Sequence, residues 1–362
     1  MAQLNNKQLV LLSHLIYGIR QTHFKNGSLL VGEIAEKLVS ELNKGKTLKY
    51  PIKTPKTEWM AVLKLILKDK KLSGHIISHF FCKDGMKMAT VRDRKIFAKD
   101  MTIVFQGSVT ANDWEDNAIS AYVSDTPMQK TALNYVRRMK FLLCPRQTTT
   151  TGHSKGGNYA QYCAIRFNSI NRAVAFDAPG FSPEFLEKYA ERIKYRAKTI
   201  HNISASKDFI HGLLFTIPRI KQTFVKSPKM KVVYLYHKFS ALIDLKTGEF
   251  YPKTDSEARY VKIVRDSAKT FIKMNRLQRK RLTHGITSFV SVCVSESKGI
   301  LSDLHRALRA IPDLLRFILG VGQRRVVQKR ITKSLQKWKK SGMMARYATL
   351  VLVLVGFWNS NK

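Results

Sequence analysis

The spacing of apolar residues predicts that the first 80 residues are helical. From residue 6 onward, apolar side chains recur every three or four positions, which places them on one face of a helix. Two series have this spacing: Leu9, Leu12, Ile16 and Ile19, and then Ile34, Leu38 and Leu42. A third apolar run follows at 59–67. We therefore expect a helical N-terminal region over residues 1–80 that packs on the rest of the protein.

Between residues 81 and 255 the pattern changes to short β-branched and apolar runs that alternate with helical segments. The predicted strands are 88–91, 101–105, 147–151, 172–176, 198–203 and 231–236, and helices are predicted around 132–139 and 158–165. Alternation of this kind indicates an α/β fold with a mainly parallel sheet. In such sheets, functional residues follow the carboxyl ends of the strands.

Residues 256–362 are dense in Lys and Arg and carry apolar residues at helical spacing without a strand pattern. We expect a basic, mainly helical C-terminal extension. It ends in an apolar run at 348–358, which is shorter than the roughly 20 residues that a membrane-spanning helix needs. A buried segment, a partner-binding tail and an interfacial anchor are all compatible with this run.

Charge narrows the choice of partners. The chain has 64 Lys and Arg against 25 Asp and Glu, a formal net charge of +39, and such a surface attracts polyanions. Basic amphipathic helices suit an anionic membrane surface. Nucleic acid is a weaker candidate, because the extension has few aromatic residues and no recognised nucleic-acid-binding motif. A solvated helical appendage is a further alternative, and the sequence leaves the oligomeric state open.

The cysteines and the N-terminus bear on location. Cys82, Cys144, Cys163 and Cys293 lie far apart and predict neither a disulfide framework nor a zinc site, so we expect free, buried thiols. The first apolar stretch is short and interrupted by His14, which favours an amphipathic helix over a signal peptide. We expect a cytoplasmic or peripheral membrane location, with signal-independent export left open.

One motif carries chemistry. Gly152, Ser154 and Gly156 match the pattern G-x-S-x-G, after a predicted strand and before a predicted helix. In this context a nucleophilic serine projects from a strained turn, and glycines on either side avoid clashes. The N–H of Lys155 and the helix N-terminus then face a developing oxyanion. Ser154 is therefore the candidate nucleophile.

A nucleophilic serine needs a base, and the base needs an acid that orients it. In α/β proteins whose serine lies on a G-x-S-x-G turn, the order along the chain is serine, acid, histidine. His237 follows the last predicted strand and is the favoured base, with His211 as an alternative, whereas His201 lies within a predicted strand. Asp208 ends the preceding predicted strand and is the favoured acid. Asp177, after the strand that follows the nucleophile helix, is the alternative acid.

A second oxyanion donor is predicted after the strand at 101–105. There Gly107 allows close backbone approach, and the N–H and hydroxyl of Ser108 are the candidate donors. A simple turn is the alternative interpretation. This chemistry requires no metal ion and no organic cofactor.

Together these segments resemble the class 3 lipases and, more closely, a related lipase-like family of bacterial proteins. The resemblance rests on Phe105-Gln-Gly-Ser108, Trp114-Glu-Asp116, Gln129-x-x-Ala132-x-x-Tyr135, Gly152-His-Ser-Lys-Gly-Gly-Asn158, Phe176-Asp-Ala-Pro-Gly-Phe181, Asp208 and His237. It covers residues 85 to 250 approximately and stops before the basic extension. Gln106 stands where the family usually has Arg.

The resemblance implies an α/β-hydrolase fold, a triad of Ser154, Asp208 and His237, and an oxyanion hole from Ser108 and Lys155. It also implies hydrolysis of a lipid ester. We therefore expect a serine hydrolase that cleaves acyl esters of lipid or phospholipid through an acyl-enzyme. The alternative is a non-catalytic scaffold of hydrolase shape whose basic C-terminal region binds or disrupts anionic membranes.

Overall fold

The computed structural model describes residues 3–24, 27–48, 50, 52, 54–93, 99–231, 233–272, 274–275, 277–280 and 283. The helices are α1 (Asn6–Gly18), α2 (Val31–Asn43), α3 (Lys56–Lys68), α4 (Lys70–Ser73), α5 (Ala111–Ile119), α6 (Pro127–Leu143), α7 (Lys155–Arg166), α8 (Pro183–Lys188), α9 (Ala190–Arg196) and α10 (Arg259–Ile272). The strands are β1 (Leu29–Leu30), β2 (Ile76–Lys83), β3 (Met86–Arg92), β4 (Asp100–Phe105), β5 (Gln147–His153), β6 (Arg172–Phe176), β7 (Ile200–Ala205), β8 (Lys221–Val225) and β9 (Lys253–Thr254). Short 3₁₀ helices span Gln21–Phe24, Ala197–Thr199, Ile210–Gly212, Val233–His237 and Phe239–Ala241.

These strands form a single mixed sheet in which spatial order follows chain order. The five strands from β4 to β8 are parallel, whereas β1 to β3 and β9 are antiparallel to their neighbours. The predicted α/β fold with a mainly parallel sheet is confirmed.

Helices α6, α7 and α9 pack on one face of this sheet. They lie in the connections between successive parallel strands, and right-handed crossovers between sequential neighbours put every such helix on the same face. Side chains alternate accordingly along β4: Ile103 and Phe105 point to this layer, and Val104 points to the opposite layer. The second face needs a cover from elsewhere in the chain.

The N-terminal helices supply that cover. Leu12, Ile16 and Trp59, from α1 and α3, are at most 1 % exposed and share a cluster with Val104 and Phe176 of the sheet. The N-terminal region is therefore the second helical layer of an α/β sandwich.

The start of α6 shows how local sequence positions the helices around β5. Thr126 and Gln129 form a capping box, in which each side chain accepts a hydrogen bond from the other residue's backbone N–H. The Gln129 amide also donates to Asn158 Oδ1 of α7 at 2.9 Å. Asn158 in turn donates to the carbonyl of Gly180. Gln129 and Asn158, two polar residues of the lipase-like motifs, thus hold α6, α7 and the loop after β6 together.

Two sequence predictions about elements were wrong, and one strand was not predicted. The helical region ends at Ser73, and β2 begins at Ile76, inside the region predicted to be helical. The strand predicted at 231–236 is instead the 3₁₀ helix Val233–His237. The strand next to β7 is Lys221–Val225, which pairs with only two residues of β9 on its other side. Its position near the sheet edge explains its polar composition, which an apolar criterion overlooks.

Other expectations have mixed outcomes. Cys163 is buried as expected, but Cys82 and Cys144 are exposed, because one lies near the end of β2 and the other directly follows α6. Cys293, most of the basic extension and the apolar run at 348–358 lie outside the described residues. In the described part of the chain, no helix combines the length and the apolar character needed to cross a membrane.

Asp125, whose side chain is largely buried, links the segment before α6 to α7, α8 and Tyr189. Asp125 accepts hydrogen bonds from Tyr162 and Arg166 of α7, from Lys188 of α8 and from Tyr189, at 2.6–2.7 Å. Burial alone raises the pKa of Asp125, but these four donors outweigh it and hold the pKa well below its usual range.

We expect Asp125→Asn to lower the free energy of unfolding by about 2 kcal/mol at pH 7, because charge-assisted hydrogen bonds are lost. The folded pKa of Asp125 is depressed, so the stabilisation is full above the unfolded pKa of about 4, declines as pH falls below that value, and disappears only when pH falls through the depressed folded pKa. Urea unfolding at pH 7 and pH 3 tests this, with Glu191→Gln in the exposed pair with Lys194 as control. An equal wild-type–variant difference at both pH values would contradict it.

Candidate active site

Ser154 occupies a strained turn between the central strand and its helix. It lies between β5 and α7 with φ 58° and ψ −128°, a backbone conformation that side-chain-bearing residues rarely adopt. Its N–H donates to the carbonyl of Phe176 at 2.8 Å, and its own carbonyl accepts from Gly157 at 3.0 Å. Hydrogen bonds to β6 and α7 therefore hold the turn from both sides.

Close packing explains the glycines of the motif. A Cβ atom on Gly152 would lie 2.4 Å from the carbonyl carbon of Gly156, and one on Gly156 would lie 2.2 Å from the carbonyl oxygen of Phe105. Since backbone atoms make these contacts, rotation of a neighbouring side chain does not relieve them. The glycines let α7 start directly against the end of β4.

The structure brings Ser154, His237 and Asp208 into one chain of hydrogen bonds. His237 Nε2 lies 2.8 Å from Ser154 Oγ, and His237 Nδ1 lies 2.9 Å from Asp208 Oδ2. Asp208 Oδ1 also accepts from the N–H of Ile210 at 3.1 Å. Asp208 is fully buried and His237 is 8 % exposed, so these bonds have little competition from water.

Asp177, the alternative acid, lies beside this chain of hydrogen bonds. It is fully buried, and its Oδ1 accepts from the N–H of Ala205 at 2.8 Å. Burial raises the pKa of Asp177 well above its ordinary value, and the nearby charge of Asp208 raises it further. The neutral carboxyl group of Asp177 is therefore favoured. His237 bonds Asp208 rather than Asp177.

The other candidate histidines have different partners. His211, on the 3₁₀ helix Ile210–Gly212, is buried and donates through Nε2 to Glu257 at 2.9 Å. His201, on β7, lies 2.9 Å from the Thr223 hydroxyl of β8. Neither of these bonds involves Ser154.

The predicted oxyanion residues follow β4 and begin α7. Ser108 is buried, and its hydroxyl accepts a hydrogen bond from Asn117 at 2.8 Å. Lys155 is the first residue of α7, and its Nζ lies 3.0 Å from Asp116 of α5 and 5.5 Å from the centre of the Tyr159 ring. The Lys155 side chain therefore ties α5 to the turn at Ser154, and its backbone N–H is the group that the sequence predicts as an oxyanion donor.

Gln106, which replaces the usual Arg, is 3 % exposed. Its amide donates to the carbonyls of Gly85 and Gly107 at 3.4 and 3.3 Å. The loop after β4 thus has support from this glutamine.

Sequence reasoning missed Tyr17, which joins the N-terminal layer to the site. Its hydroxyl accepts from the N–H of Gly107 at 3.0 Å and lies 3.3 Å from His153 Nδ1. A Cβ on Gly107 would lie 2.3 Å from this hydroxyl, so the glycine is required for the contact. Tyr17 and Gly107 are far apart in the chain, and no local pattern in the sequence indicates the bond.

His153, the second residue of the G-x-S-x-G motif, lies between Tyr17 and His237. Its ring centre is 4.6 Å from that of His237, and the Tyr50 hydroxyl lies 3.4 Å from its Nδ1. Burial lowers the pKa of His153 well below its ordinary value, and the positive forms of His237 and His14 lower it further. A neutral His153 ring therefore packs against the His237 ring.

Among the residues that the structure describes, two buried sets of side chains have the ligand types of a metal site. They are His153, Asp177 and His237, and Asp177, Asp208 and His211, with ligand atoms within 4.8 Å of one another in each set. Both sets include residues of the hydrogen-bonded chain, so a cation bound there would compete with the bond between His237 and Asp208.

Fold and site together define the class of the protein. The mainly parallel sheet carries a serine on a strained strand-to-helix turn. The serine is hydrogen-bonded to a histidine, which is hydrogen-bonded to an aspartate that follows a later strand. This is the arrangement of the α/β-hydrolase fold. The chain belongs to the Mbeg1-like family, a lipase-like family, whose sequence profile matches residues 87–286.

Several solved lipase structures are similar to this chain at low identity. Lip2 lipase from Yarrowia lipolytica is 11 % identical with a TM-score of 0.37, over 61 % of this chain and 78 % of that chain. Rhizomucor miehei lipase is 14 % identical with a TM-score of 0.32, over 49 % and 71 %. A triacylglycerol lipase from Penicillium expansum is 12 % identical with a TM-score of 0.32, over 51 % and 82 %. The search of curated proteins gave no match.

We expect Tyr17→Phe to lower the free energy of unfolding by about 1–3 kcal/mol, because the buried N–H of Gly107 loses its acceptor while the ring stays in place. Urea unfolding measures the change. Tyr195→Phe is the matched control, since Tyr195 is 70 % exposed. Equal stability of wild type and Tyr17→Phe would show that the bond to Gly107 contributes nothing.

Proposed function

We propose that this protein is a serine ester hydrolase that works through an acyl-enzyme on Ser154. The observation that supports this most strongly is the continuous hydrogen-bonded chain from Ser154 Oγ through His237 to Asp208, at 2.8 and 2.9 Å. A serine becomes nucleophilic when a neighbouring base accepts its proton and an acid orients that base.

In the proposed reaction, Ser154 Oγ attacks the ester carbonyl while its proton moves to His237 Nε2. The tetrahedral intermediate then expels the alcohol, which takes the proton from His237, and an acyl ester remains on Ser154. Water, activated by the same imidazole, attacks this ester and releases the acid. Asp208 stabilises the imidazolium and holds Nδ1–H in place throughout.

Two backbone N–H groups are the proposed oxyanion donors. The N–H of Lys155 opens α7, where the helix N-terminus adds favourable potential for negative charge. The N–H of Ser108 lies in the loop after β4, which the bond between Tyr17 and Gly107 holds. The Ser108 hydroxyl already accepts from Asn117, so its N–H is the better candidate of the two Ser108 groups.

The proposed substrate is a lipid ester, and anionic phospholipid is the favoured kind. The sequence resemblance to class 3 lipases supports the lipid, and the net charge of +39 supports an anionic surface on which to find it. The basic extension is the proposed contact with that surface.

We expect wild-type protein to react with a fluorophosphonate probe and to hydrolyse short p-nitrophenyl esters. Ser154→Ala should abolish labelling and lower kcat at least about 10³-fold, because the nucleophile is gone. Asp208→Asn should lower kcat by about 10³- to 10⁴-fold through loss of the oriented imidazole.

Ser40→Ala is the control, since Ser40 is exposed on α2. Wild-type protein that neither labels nor turns over any of these esters would contradict the proposal and would favour the non-catalytic scaffold.

We also expect the full chain to float with vesicles of phosphatidylglycerol and much less with vesicles of phosphatidylcholine. Binding should weaken as salt rises from 0.05 to about 0.5 M, because screening shortens the range of the attraction. Flotation assays at each salt concentration measure this. Equal binding to both vesicle types would contradict an electrostatic membrane contact.

A further inference from the structure

The loop that carries Asp208 is held by the segment that opens helix α10. The N–H of Ala258 donates to the carbonyl of Ser206 at 2.8 Å, and the Tyr260 hydroxyl donates to the carbonyl of Lys207. Both bonds reach the two residues directly before Asp208. The position of the loop therefore depends on a part of the chain beyond the sheet.

A second buried histidine–carboxylate pair lies beside Asp208. His211 Nε2 donates to Glu257 at 2.9 Å, and Glu257 also accepts from Arg265 of α10. His211 is 3 % exposed and Glu257 is 9 % exposed, so water competes poorly with the bond between them. Arg265 compensates the buried charge of Glu257, which is the condition for keeping such a carboxylate inside a protein.

His211 of this pair lies beside the Asp208 oxygen that accepts the hydrogen bond from His237. His211 Nδ1 lies 4.0 Å from Asp208 Oδ2, the atom that accepts from His237. At this distance the ring makes no hydrogen bond with Asp208, but it closes one side of the carboxylate. The His211 ring is itself held by Glu257 and packs 5.4 Å from the ring of Phe224 on β8.

The packing of α10 fixes the position of the His211–Glu257 pair relative to the loop that carries Asp208. Val261 is fully buried, and a Cβ on Gly212 would lie 3.1 Å from its carbonyl oxygen. Helix α10 and the 3₁₀ helix Ile210–Gly212 therefore approach at backbone distance, and a shift of α10 moves His211.

We propose that His211 and Glu257 are positioning residues for Asp208, so that the start of α10 is part of the active site. The catalytic consequence rests on the proposed function. A triad acid acts by holding the imidazole in one orientation, and small misplacements of catalytic groups lower rates strongly. Glu257 acts through His211 and touches neither substrate nor Ser154.

The first test is Glu257→Gln in the full chain, which keeps the shape of the side chain and removes its charge. We expect kcat for p-nitrophenyl esters to fall about tenfold with KM unchanged, because substrate binding is untouched while the base is less well oriented. In the Asp208→Ala background the same substitution should change the residual kcat less than twofold. Wild-type kcat in Glu257→Gln, or an equal loss in both backgrounds, would overturn the proposal.

The second test does not need activity. The urea midpoint is measured for wild type, Glu257→Gln, Asp208→Ala and the double variant. Coupled residues give a loss from Glu257→Gln that shrinks by half or more when Asp208 is already absent. Additive losses would overturn the coupling, and this holds even if wild-type protein proves inactive and the proposed function fails.

Two further variants separate positioning from general damage. Tyr260→Phe removes only the bond to the Lys207 carbonyl and should lower kcat in the same direction by about twofold, which keeps the test available if Glu257→Gln folds poorly. His201→Gln is the matched control, since His201 is a half-buried histidine on the adjacent strand with its own partner. A similar fall in kcat in His201→Gln would indicate general damage and contradict a specific role for His211 and Glu257.

Discussion

The strained backbone at Ser154 is the constraint on which the rest of the structure depends. A φ of 58° at a residue with a side chain costs on the order of 1–3 kcal/mol and persists only where neighbours over-determine it. Here β5 precedes the turn and α7 follows it, and the N–H of Ser154 donates to the carbonyl of Phe176 on β6. Gly152 and Gly156 remove the side chains that would push these elements apart. The parallel strands around β5 therefore hold Ser154 in this strained conformation.

The sequential strand order has a consequence that reaches the site. Right-handed crossovers place α6, α7 and α9 on one face, so the other face must be covered by chain from outside the crossovers. The N-terminal helices do this with an apolar layer, and they place Tyr17 where its hydroxyl holds the N–H of Gly107. The same helix that buries the sheet thus supports the loop proposed to bind the oxyanion.

Local patterns predicted the elements that are long, apolar or marked by special residues. The turn at Ser154 follows from glycines at fixed spacing between a strand and a helix. The prediction of His237 as the base rests on a strand at 231–236, but the structure has a 3₁₀ helix there. The last parallel strand is Lys221–Val225, which the apolar pattern does not predict. Near a sheet edge, backbone pairing with the neighbouring strand stabilises a strand of polar residues, which a search for alternating apolar residues does not detect. Contacts such as those of Tyr17 with Gly107 and Glu257 with His211 join distant parts of the chain, so no spacing rule could reveal them.

The buried acids give a physical reason for the ambiguity between Asp177 and Asp208. Two buried carboxylates close to each other repel, and the charge of Asp208 is one of the causes that raise the pKa of Asp177. Asp208 accepts hydrogen bonds from His237 and from the N–H of Ile210. Asp177 receives one backbone donor and carries the raised pKa. Each acid follows the end of a strand, so the sequence leaves both as candidates. Their hydrogen-bond donors distinguish them, because Asp208 and not Asp177 accepts from the imidazole of His237.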